Sequence, residues 1–144
     1  MDQATLAYAA GLMDGEGSIL LSRTHKNAKR SPCVSITSTS KELIDFLSHN
    51  FGGFVVNQKT YAEHHKQAWI WSVKRRLALQ FLELVRPFMH EAEKVRRADL
   101  LLTYYLKVTP RNGKYSERTL RMREALEESF FHPSTPLPLS FRSL

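Results

Sequence analysis

Two hydrophobic periodicities run along this chain and predict where its helices and strands lie. Residues 6–13 are apolar and rich in alanine, which favours a short helix capped by Asp2 or Thr5. Residues 43–51 repeat apolar side chains every three or four positions and stop at two glycines, which predicts a second helix. The same spacing predicts further helices over residues 77–85, 95–105 and 116–130.

Alternation of apolar and polar residues predicts four strands, over residues 18–25, 31–38, 54–60 and roughly 67–73. Trp69, Trp71 and Val73 share one face of the fourth strand, and their bulk favours core packing over base stacking. Thr39 and Glu42 match a capping box, which places a helix start after the second strand.

The order of these elements predicts an α+β fold. Each pair of strands is close enough in sequence to form a hairpin, the first through a polar tip at 26–30 and the second through a loop containing His64-His65. We therefore expect a four-stranded antiparallel sheet with helices on one face and the other face free. One domain is predicted over residues 1–131, and the proline-containing residues 132–144 are expected to form a flexible tail.

The distribution of charge points to a polyanionic partner. The formal net charge is +7, and no acid lies between Glu16 and Glu42, where the basic residues are Arg23, Lys26, Lys29, Arg30 and Lys41. A one-signed segment can be a solvated face or a mobile loop. On two strands, however, it would display its charges on a sheet, as a surface that follows phosphates requires. Double-stranded DNA is the predicted partner, and no membrane partner is expected.

Composition limits the cellular setting. No apolar run approaches the roughly 18 residues of a membrane span, and the first residues do not resemble a signal peptide. Cys33 is the single cysteine, which excludes an intrachain disulfide and a cysteine-rich zinc site. We expect an intracellular protein, in the cytoplasm or nucleoid, or in an organelle matrix if it is organelle-encoded.

Two carboxylates at the end of the first helix are the main candidate for chemistry. Asp14 and Glu16 lie where the helix dipole is negative, which disfavours an acid by up to about 1 kcal/mol. No Lys or Arg precedes Arg23, so we predict a cation from outside. Mg²⁺ is typically held by one or two carboxylates together with substrate phosphate, which makes it the expected ion.

Residues 9–17 read AAGLMDGEG and resemble the LAGLIDADG motif of homing endonucleases. Gly11, Leu12, Asp14 and Gly17 match in place, whereas Glu16 replaces the second aspartate. The order of elements also fits that family from about residue 4 to residue 106. The resemblance implies an αββαββα fold with a saddle-shaped sheet and, in this chain, additional C-terminal helices. It also implies a Mg²⁺-dependent phosphodiesterase that makes a double-strand break in a long pseudo-palindromic DNA site, and mobility with an intron or intein.

The motif occurs once, and one-motif members of the resembled family act as homodimers. The resemblance therefore implies that two motif helices pack together through small side chains, with Ala7, Ala10, Gly11 and Asp14 at the interface. Glu16 and its symmetry mate would then lie near the two-fold axis, which matches a pseudo-palindromic target.

The same resemblance assigns roles at the predicted site. Glu16 is the expected direct metal ligand, with the Gly15 carbonyl beside it and Asp14 at the helix ends; Mn²⁺ or Ca²⁺ could occupy the same sites. Ser38 falls where family members often have glutamine and would need a bridging water. Lys94 matches a family lysine that stabilises phosphate charge or helps activate water. The alternative is a solvated helix lysine, with Lys41 or Arg97 taking the role if the alignment shifts.

The predicted DNA-contacting side chains lie on the free sheet face, the hairpin tip and the neighbouring loop. A two-stranded ribbon of this kind fits the B-form major groove. The candidates are Ser18, Leu20, Ser22, Thr24, Lys26, Lys29, Arg30, Ser31, Cys33, Ser35, Val56, Gln58, Thr60 and Lys66.

Several alternatives remain open from sequence. A relative that lost cleavage, serving as a DNA-binding protein or intron RNA maturase, would keep the same sheet. A basic α+β protein without a nucleic-acid role is the third hypothesis. His64, His65 and His90 do not complete a zinc ligand set and fit a polar loop better. The arginines of residues 116–130 alternate with glutamates, which favours a salt-bridged surface over a DNA contact.

Overall fold

Four strands form one antiparallel sheet in the order β1-β2-β4-β3. The computed structural model describes residues 1–60, 63–64 and 66–144. The strands are β1 (Gly17–Ser22), β2 (Ser31–Ser38), β3 (Phe54–Asn57) and β4 (Trp69–Lys74). The α+β fold class predicted from the sequence is therefore confirmed.

The helices begin at side-chain caps where the sequence supplies them. Their bounds are α1 (Gln3–Glu16), α2 (Lys41–Phe51), α3 (Arg75–Val85), α4 (Ala92–Leu100) and α5 (Glu117–Phe131). The Asp2 carboxylate accepts the backbone N–H of Thr5 at 2.7 Å and caps α1. Ser40, not the predicted Thr39, caps α2, because its hydroxyl accepts the N–H of Leu43.

One sheet face packs against helices and forms the core of the first compact unit, Met1–Val95. Ile19, Val34 and Val73 come into register on this face and are almost completely buried. Trp71 is fully buried, contacts the Phe81 ring edge-to-face and donates its indole N–H to the Gly52 carbonyl. The predicted core role of the fourth strand is confirmed for Trp71 and Val73, while Trp69 is half-buried on the same face.

The opposite side of the sheet, which we call the open face, is defined by the strand register. Its rows follow from the pairs Ser18 with Ser35, Leu20 with Cys33, and Val56 with Ile70. The full set of open-face positions is Ser18, Leu20, Ser22, Ser31, Cys33, Ser35, Thr37, Phe54, Val56, Ile70, Ser72 and Lys74.

The strands are shorter than the alternation pattern predicted. β1 ends at Ser22 and β3 ends at Asn57, so Thr24, Gln58 and Thr60 lie outside the strands. The backbone N–H of Gln58 still donates to the Ala68 carbonyl at 2.9 Å, which extends the pairing by one bond. His65, part of the predicted connecting loop, lies outside the described residues.

The second compact unit, Arg96–Leu144, contains a small core of its own. Val108, Met122, Leu126 and Phe141 form this core, and Phe141 is only 3% exposed. The prediction of a flexible tail is therefore wrong at residues 139–143, which form a short helix that anchors Phe141. The assignment of residues 1–131 to one domain remains a prediction, since a packing unit need not fold independently.

One predicted surface arginine of α5 is buried instead. Arg123 is 4% exposed, and its guanidinium donates to the Thr109 hydroxyl and the Tyr115 hydroxyl, both at 2.9 Å. It also lies over the rings of Tyr105 and Tyr115. Arg123 therefore ties α5 to the segment that precedes it and is not part of a solvent-facing stripe.

No helix in the described part of the chain is long and apolar enough to cross a bilayer.

Gly53 offers a test of this packing. Its φ of +90° is left-handed, and an added Cβ would collide with the Ser72 carbonyl of β4. The neighbouring Gly52 is also left-handed, at φ +71°, but a Cβ there meets open space. We expect Gly53→Ala to lower the free energy of unfolding by about 1–3 kcal/mol more than Gly52→Ala, because only the first adds overpacking to backbone strain. Urea unfolding of the two variants measures the difference, and equal midpoints would contradict the close approach.

Candidate active site and nucleic-acid interface

The end of α1 passes into β1 without an intervening loop. Asp14, Gly15 and Glu16 all belong to the last turn of the helix, and Gly17 begins the strand. A Cβ at Gly17 would lie 2.9 Å from the Cα of Met13, so glycine is required for the abrupt change of direction. The backbone N–H of Gly17 donates to the Met13 carbonyl and closes the helix.

The Asp14 carboxylate caps the start of α4. Its Oδ2 accepts the backbone N–H of His90 at 2.9 Å, and its Oδ1 accepts the N–H of Glu91 at 3.0 Å. Glu91 in turn accepts the backbone N–H of Lys94 at 2.7 Å. A carboxylate at this position is stabilised by the positive end of the α4 dipole. Asp14 is therefore held in place by backbone donors from a distant part of the chain.

Lys94, in α4, makes a second contact between the two helices, at the end of α1. Its ammonium Nζ donates to the carbonyls of Met13 and Asp14 at 3.0 and 2.8 Å. Both carbonyls belong to the last turn of α1, at the negative end of the helix dipole, which favours a cation. Lys94 therefore supplies one cation to this helix end from within the chain, and the predicted cation from outside, which concerned the two carboxylates, stays a prediction.

Glu16 is placed differently from Asp14. It is exposed, and among the described residues its carboxylate has no hydrogen-bond or ion-pair partner. A carboxylate in the last turn of a helix remains electrostatically unfavourable, since Lys94 reaches the carbonyls and not this side chain. The acid of this helix end that is available for an added cation is Glu16.

The described residues of one copy contain no cluster of metal-ligating side chains. Among residues 1–60, 63–64 and 66–144, no three His, Cys, Asp or Glu side chains converge. The metal roles of Glu16, Gly15 and Asp14 remain predictions. The donor chemistry fits a hard divalent ion, because Glu16 offers free carboxylate oxygens.

Ser38 lies at the end of β2 and serves the start of α2. Its hydroxyl oxygen accepts the backbone N–H of Ser40 at 2.9 Å. By register it belongs to the helix-covered side of the sheet, opposite Trp69. Its predicted catalytic role remains a prediction, and the structure gives it a local capping contact.

Part of the predicted dimer face of α1 is open. Ala7 and Gly11 are exposed, and no atom lies within 4 Å of a Cβ built at Gly11 or at Gly15. Ala10 is completely buried in the core of its own chain. The prediction that Ala10 contributes contact surface to a second copy is therefore wrong.

The open face contains the predicted strand contacts. Ser18, Leu20, Ser22, Ser31, Ser35 and Val56 lie on it as predicted. Cys33 also points to this side by register but is only 7% exposed, so its predicted outward exposure is wrong. Burial raises the pKa of the Cys33 thiol, and the charge of Lys74 opposite it and a hydrogen bond with Ser22 act to lower it.

The predicted contacts outside the strands divide into exposed and structural side chains. Thr24, Lys26, Lys29, Gln58, Thr60 and Lys66 are exposed. Arg30 is half-buried, and its guanidinium donates to the Leu21 carbonyl at 3.0 Å. Arg30 therefore closes the connection between β1 and β2, and its DNA contact remains a prediction.

Sequence interpretation missed part of the open face. Phe54, Ile70, Ser72 and Lys74 lie on it, and Lys74 is followed by the exposed Arg75 and Arg76. The signal was present in the alternation of β4, because placing the tryptophans inward requires the intervening side chains to point outward.

Comparison with known proteins decides the family. The sequence model of the LAGLIDADG-like domain matches residues 3–88, more than half of the chain. The chain belongs to the LAGLIDADG family. An intron-encoded DNA endonuclease, ai2b, of Dictyostelium discoideum is 26% identical over 100 residues, which are 69% of this chain and 38% of that relative. The chain thus spans well under half the length of this curated relative.

Solved LAGLIDADG homing endonucleases share the fold. I-CvuI in complex with its target in the presence of 2 mM Ca matches with a TM-score of 0.68 and 19% identity, over 98% of this chain and 92% of that one. I-SmaMI bound to cleaved DNA matches with a TM-score of 0.60 and 18% identity, over 96% of this chain and 46% of that one.

The Lys94 contacts predict a stability effect that does not depend on DNA or metal. Lys94→Met keeps the aliphatic length but removes both donors to the α1 carbonyls. We expect it to lower the free energy of unfolding by about 1–3 kcal/mol, because two part-buried hydrogen bonds from a charged donor are lost. Urea unfolding in EDTA measures this, with Lys59→Met at an exposed position as the control, expected within about 0.5 kcal/mol of the parent. A free energy of unfolding equal to that of the parent would show that the Lys94 hydrogen bonds add nothing to stability.

Proposed function

We propose that this LAGLIDADG protein is a site-specific DNA endonuclease that acts as a homodimer and requires a divalent metal ion, Mg²⁺ in the first instance. The observation that carries the proposal is the division of labour between its two motif acids. Asp14 is fixed by the backbone N–H groups of His90 and Glu91, just before α4, whereas Glu16 is exposed and unpaired within the described chain at a helix end that disfavours it.

The exposed small residues of α1 and its single free motif acid support the homodimer in this proposal. Each chain offers one free motif carboxylate, and the exposed small residues Ala7, Gly11 and Gly15 leave room for a second helix to approach. Close packing of two α1 helices would bring both Glu16 side chains to a shared axis. The pseudo-two-fold of a palindromic target has the same symmetry.

The residues divide the chemistry of phosphodiester hydrolysis among themselves. Glu16, with the Gly15 carbonyl beside it, would hold a divalent ion, which supplies charge stabilisation at the scissile phosphate and acidifies its bound water. Asp14 keeps the helix end in position. The Lys94 ammonium has three donors and uses two on carbonyls, so the third is the one that it can direct toward a phosphate oxygen.

The sheet supplies binding. Exposed Lys26 and Lys29 in the connection between β1 and β2, and Lys74 at the end of β4, give the open side of the molecule a positive charge. The relatives solved in complex with DNA support the same use of the fold.

One observation favours a second candidate, a DNA-binding protein that has lost cleavage or an intron RNA maturase. Ser38 is short and already accepts the Ser40 N–H, so it needs a bridging water to act at the scissile phosphate. The two candidates differ in a single measurement, which is cleavage of bound DNA in Mg²⁺.

Replacing the free acid separates catalysis from binding. DNA carrying the uninterrupted junction of the host gene is the substrate. We expect Glu16→Gln to reduce cleavage by at least about a hundredfold in Mg²⁺, because the ion loses its charged ligand, while binding in Ca²⁺ changes little. Glu83→Gln removes the same charge from an exposed position on α3 and should cut like the parent.

Two outcomes would contradict this assignment. Cleavage that persists in Glu16→Gln would place the metal ligand elsewhere. A parent protein that binds the junction but never cuts it, in Mg²⁺ or Mn²⁺, would select the binding-only candidate.

Binding should also depend on salt through the exposed lysines. We expect Lys26→Gln together with Lys29→Gln to make the slope of log K against log salt shallower by about 1 for each phosphate that the protein no longer neutralises. Lys107→Gln is the control, since Lys107 lies beyond the family match and donates to the Leu144 carbonyl. Equal slopes for the double variant and the parent would show that Lys26 and Lys29, in the connection between β1 and β2, do not contact DNA phosphates.

A further inference from the structure

The side chains of the open face are of an unusual kind for a surface that reads DNA. None of its strand positions carries Arg, Asn, Gln, Asp or Glu. Together with lysine, which the open face carries at Lys74, these are the side chains that recognise guanine, adenine and cytosine edges by paired or directed hydrogen bonds. Apart from Lys74 and the nearly buried Cys33, the open face carries serine and threonine hydroxyls, which do not discriminate strongly, and apolar groups.

The apolar groups are concentrated at the β3 edge. Phe54 and Val56 are 65% and 54% exposed, and they alternate on the same side of a short edge strand. Val56 lies directly opposite Ile70 in the sheet register, so the three side chains form one continuous strip. Leu20, on the other edge strand, is 39% exposed and adds a smaller apolar contact.

The charges around this strip select its occupant. Lys74 shares the open face, and Arg75 and Arg76 follow it at the start of α3, where the first turn carries no acid. A second copy of a chain with net charge +7 would bring like charges together on this side. A polyanion that also presents apolar groups would complement both the positive charges and the apolar strip. DNA is such a polyanion, because the C5-methyl groups of thymine are exposed in its major groove.

We propose that the open face recognises a thymine-containing half-site through C5-methyl contacts made by Phe54, Val56 and Ile70, with Leu20 as a further contact. Specificity at these positions comes from methyl burial rather than from directed hydrogen bonds. Lys74 and the two arginines position the backbone and add no sequence information. This inference rests on the proposed DNA-binding function and names the class of substrate.

Uracil substitution tests the proposal, because uracil differs from thymine by the methyl group alone. The full chain first selects bound duplexes from a random library in Ca²⁺ at one fixed salt concentration. Each thymine of the selected site is then replaced singly by deoxyuridine. We expect two or more positions at which affinity falls about fourfold, the value of one buried methyl group.

Val56→Thr locates the contact on the protein. It keeps the β-branched shape and exchanges one methyl for a hydroxyl, so we expect the deoxyuridine penalty to disappear at one position of each half-site. Val55→Thr makes the same change one residue away, on the other side of the sheet opposite Trp71, and should retain every penalty. Thermal melts of both variants establish that each is folded.

The outcomes separate this inference from the proposed function. Selection of no DNA sequence would overturn both. A selected site that binds equally well with every thymine replaced by deoxyuridine would leave DNA binding intact and overturn methyl recognition. Concentration-dependent self-association that is abolished by Val56→Thr would show that a second copy covers the strip, and would also overturn it.

Discussion

The reciprocal contact between the end of α1 and the start of α4 is the constraint on which the rest of the site depends. Asp14 reaches across to the backbone N–H groups of His90 and Glu91, and Lys94 reaches back to two carbonyls of α1. Each helix end thereby receives the charge that its dipole favours. Because both side chains are hydrogen-bonded to backbone groups, these contacts fix the direction in which α1 ends. They involve Asp14 but not Glu16.

This arrangement gives the two acids of the motif different physical states. Asp14 contributes to folding, because backbone N–H groups of the same chain donate to its carboxylate. Glu16 has no partner among the described residues, and in the proposed function a divalent cation would offset the cost of placing this acid at a helix end. A similar separation holds in the sheet, since its buried side provides stability and its open face keeps exposed side chains such as Ser18, Leu20 and Phe54. The proposed function draws on the groups that folding does not use.

Local patterns predicted the elements well, because short-range periodicity decides which residues form a helix or a strand. The strand alternation placed Trp71 inward and Ser18, Leu20 and Ser22 outward, as the register shows. What local patterns could not predict depends on contacts that are distant in sequence. The Asp14–Lys94 exchange spans some 80 residues, and the pairing of β4 with β2 is not implied by sequence order. Thr39 and Ser40 are adjacent possible caps, and only the final geometry chooses between them.

The junction at Gly17 has a consequence for how accurately such a protein can measure DNA. Ser18, the first outward side chain of β1, follows Glu16 by two residues, and no flexible linker separates them. At about 3.3 Å per extended residue, the acid and the nearest groove-facing position are held within roughly 7 Å of each other. In the proposed function, the offset between the scissile phosphate and the first base pair contacted would be set by the covalent geometry of residues 16–18. Inserting one residue at this junction would move the outward side chains of β1 to the buried side of the sheet. The spacing therefore cannot change by a single residue without loss of the register.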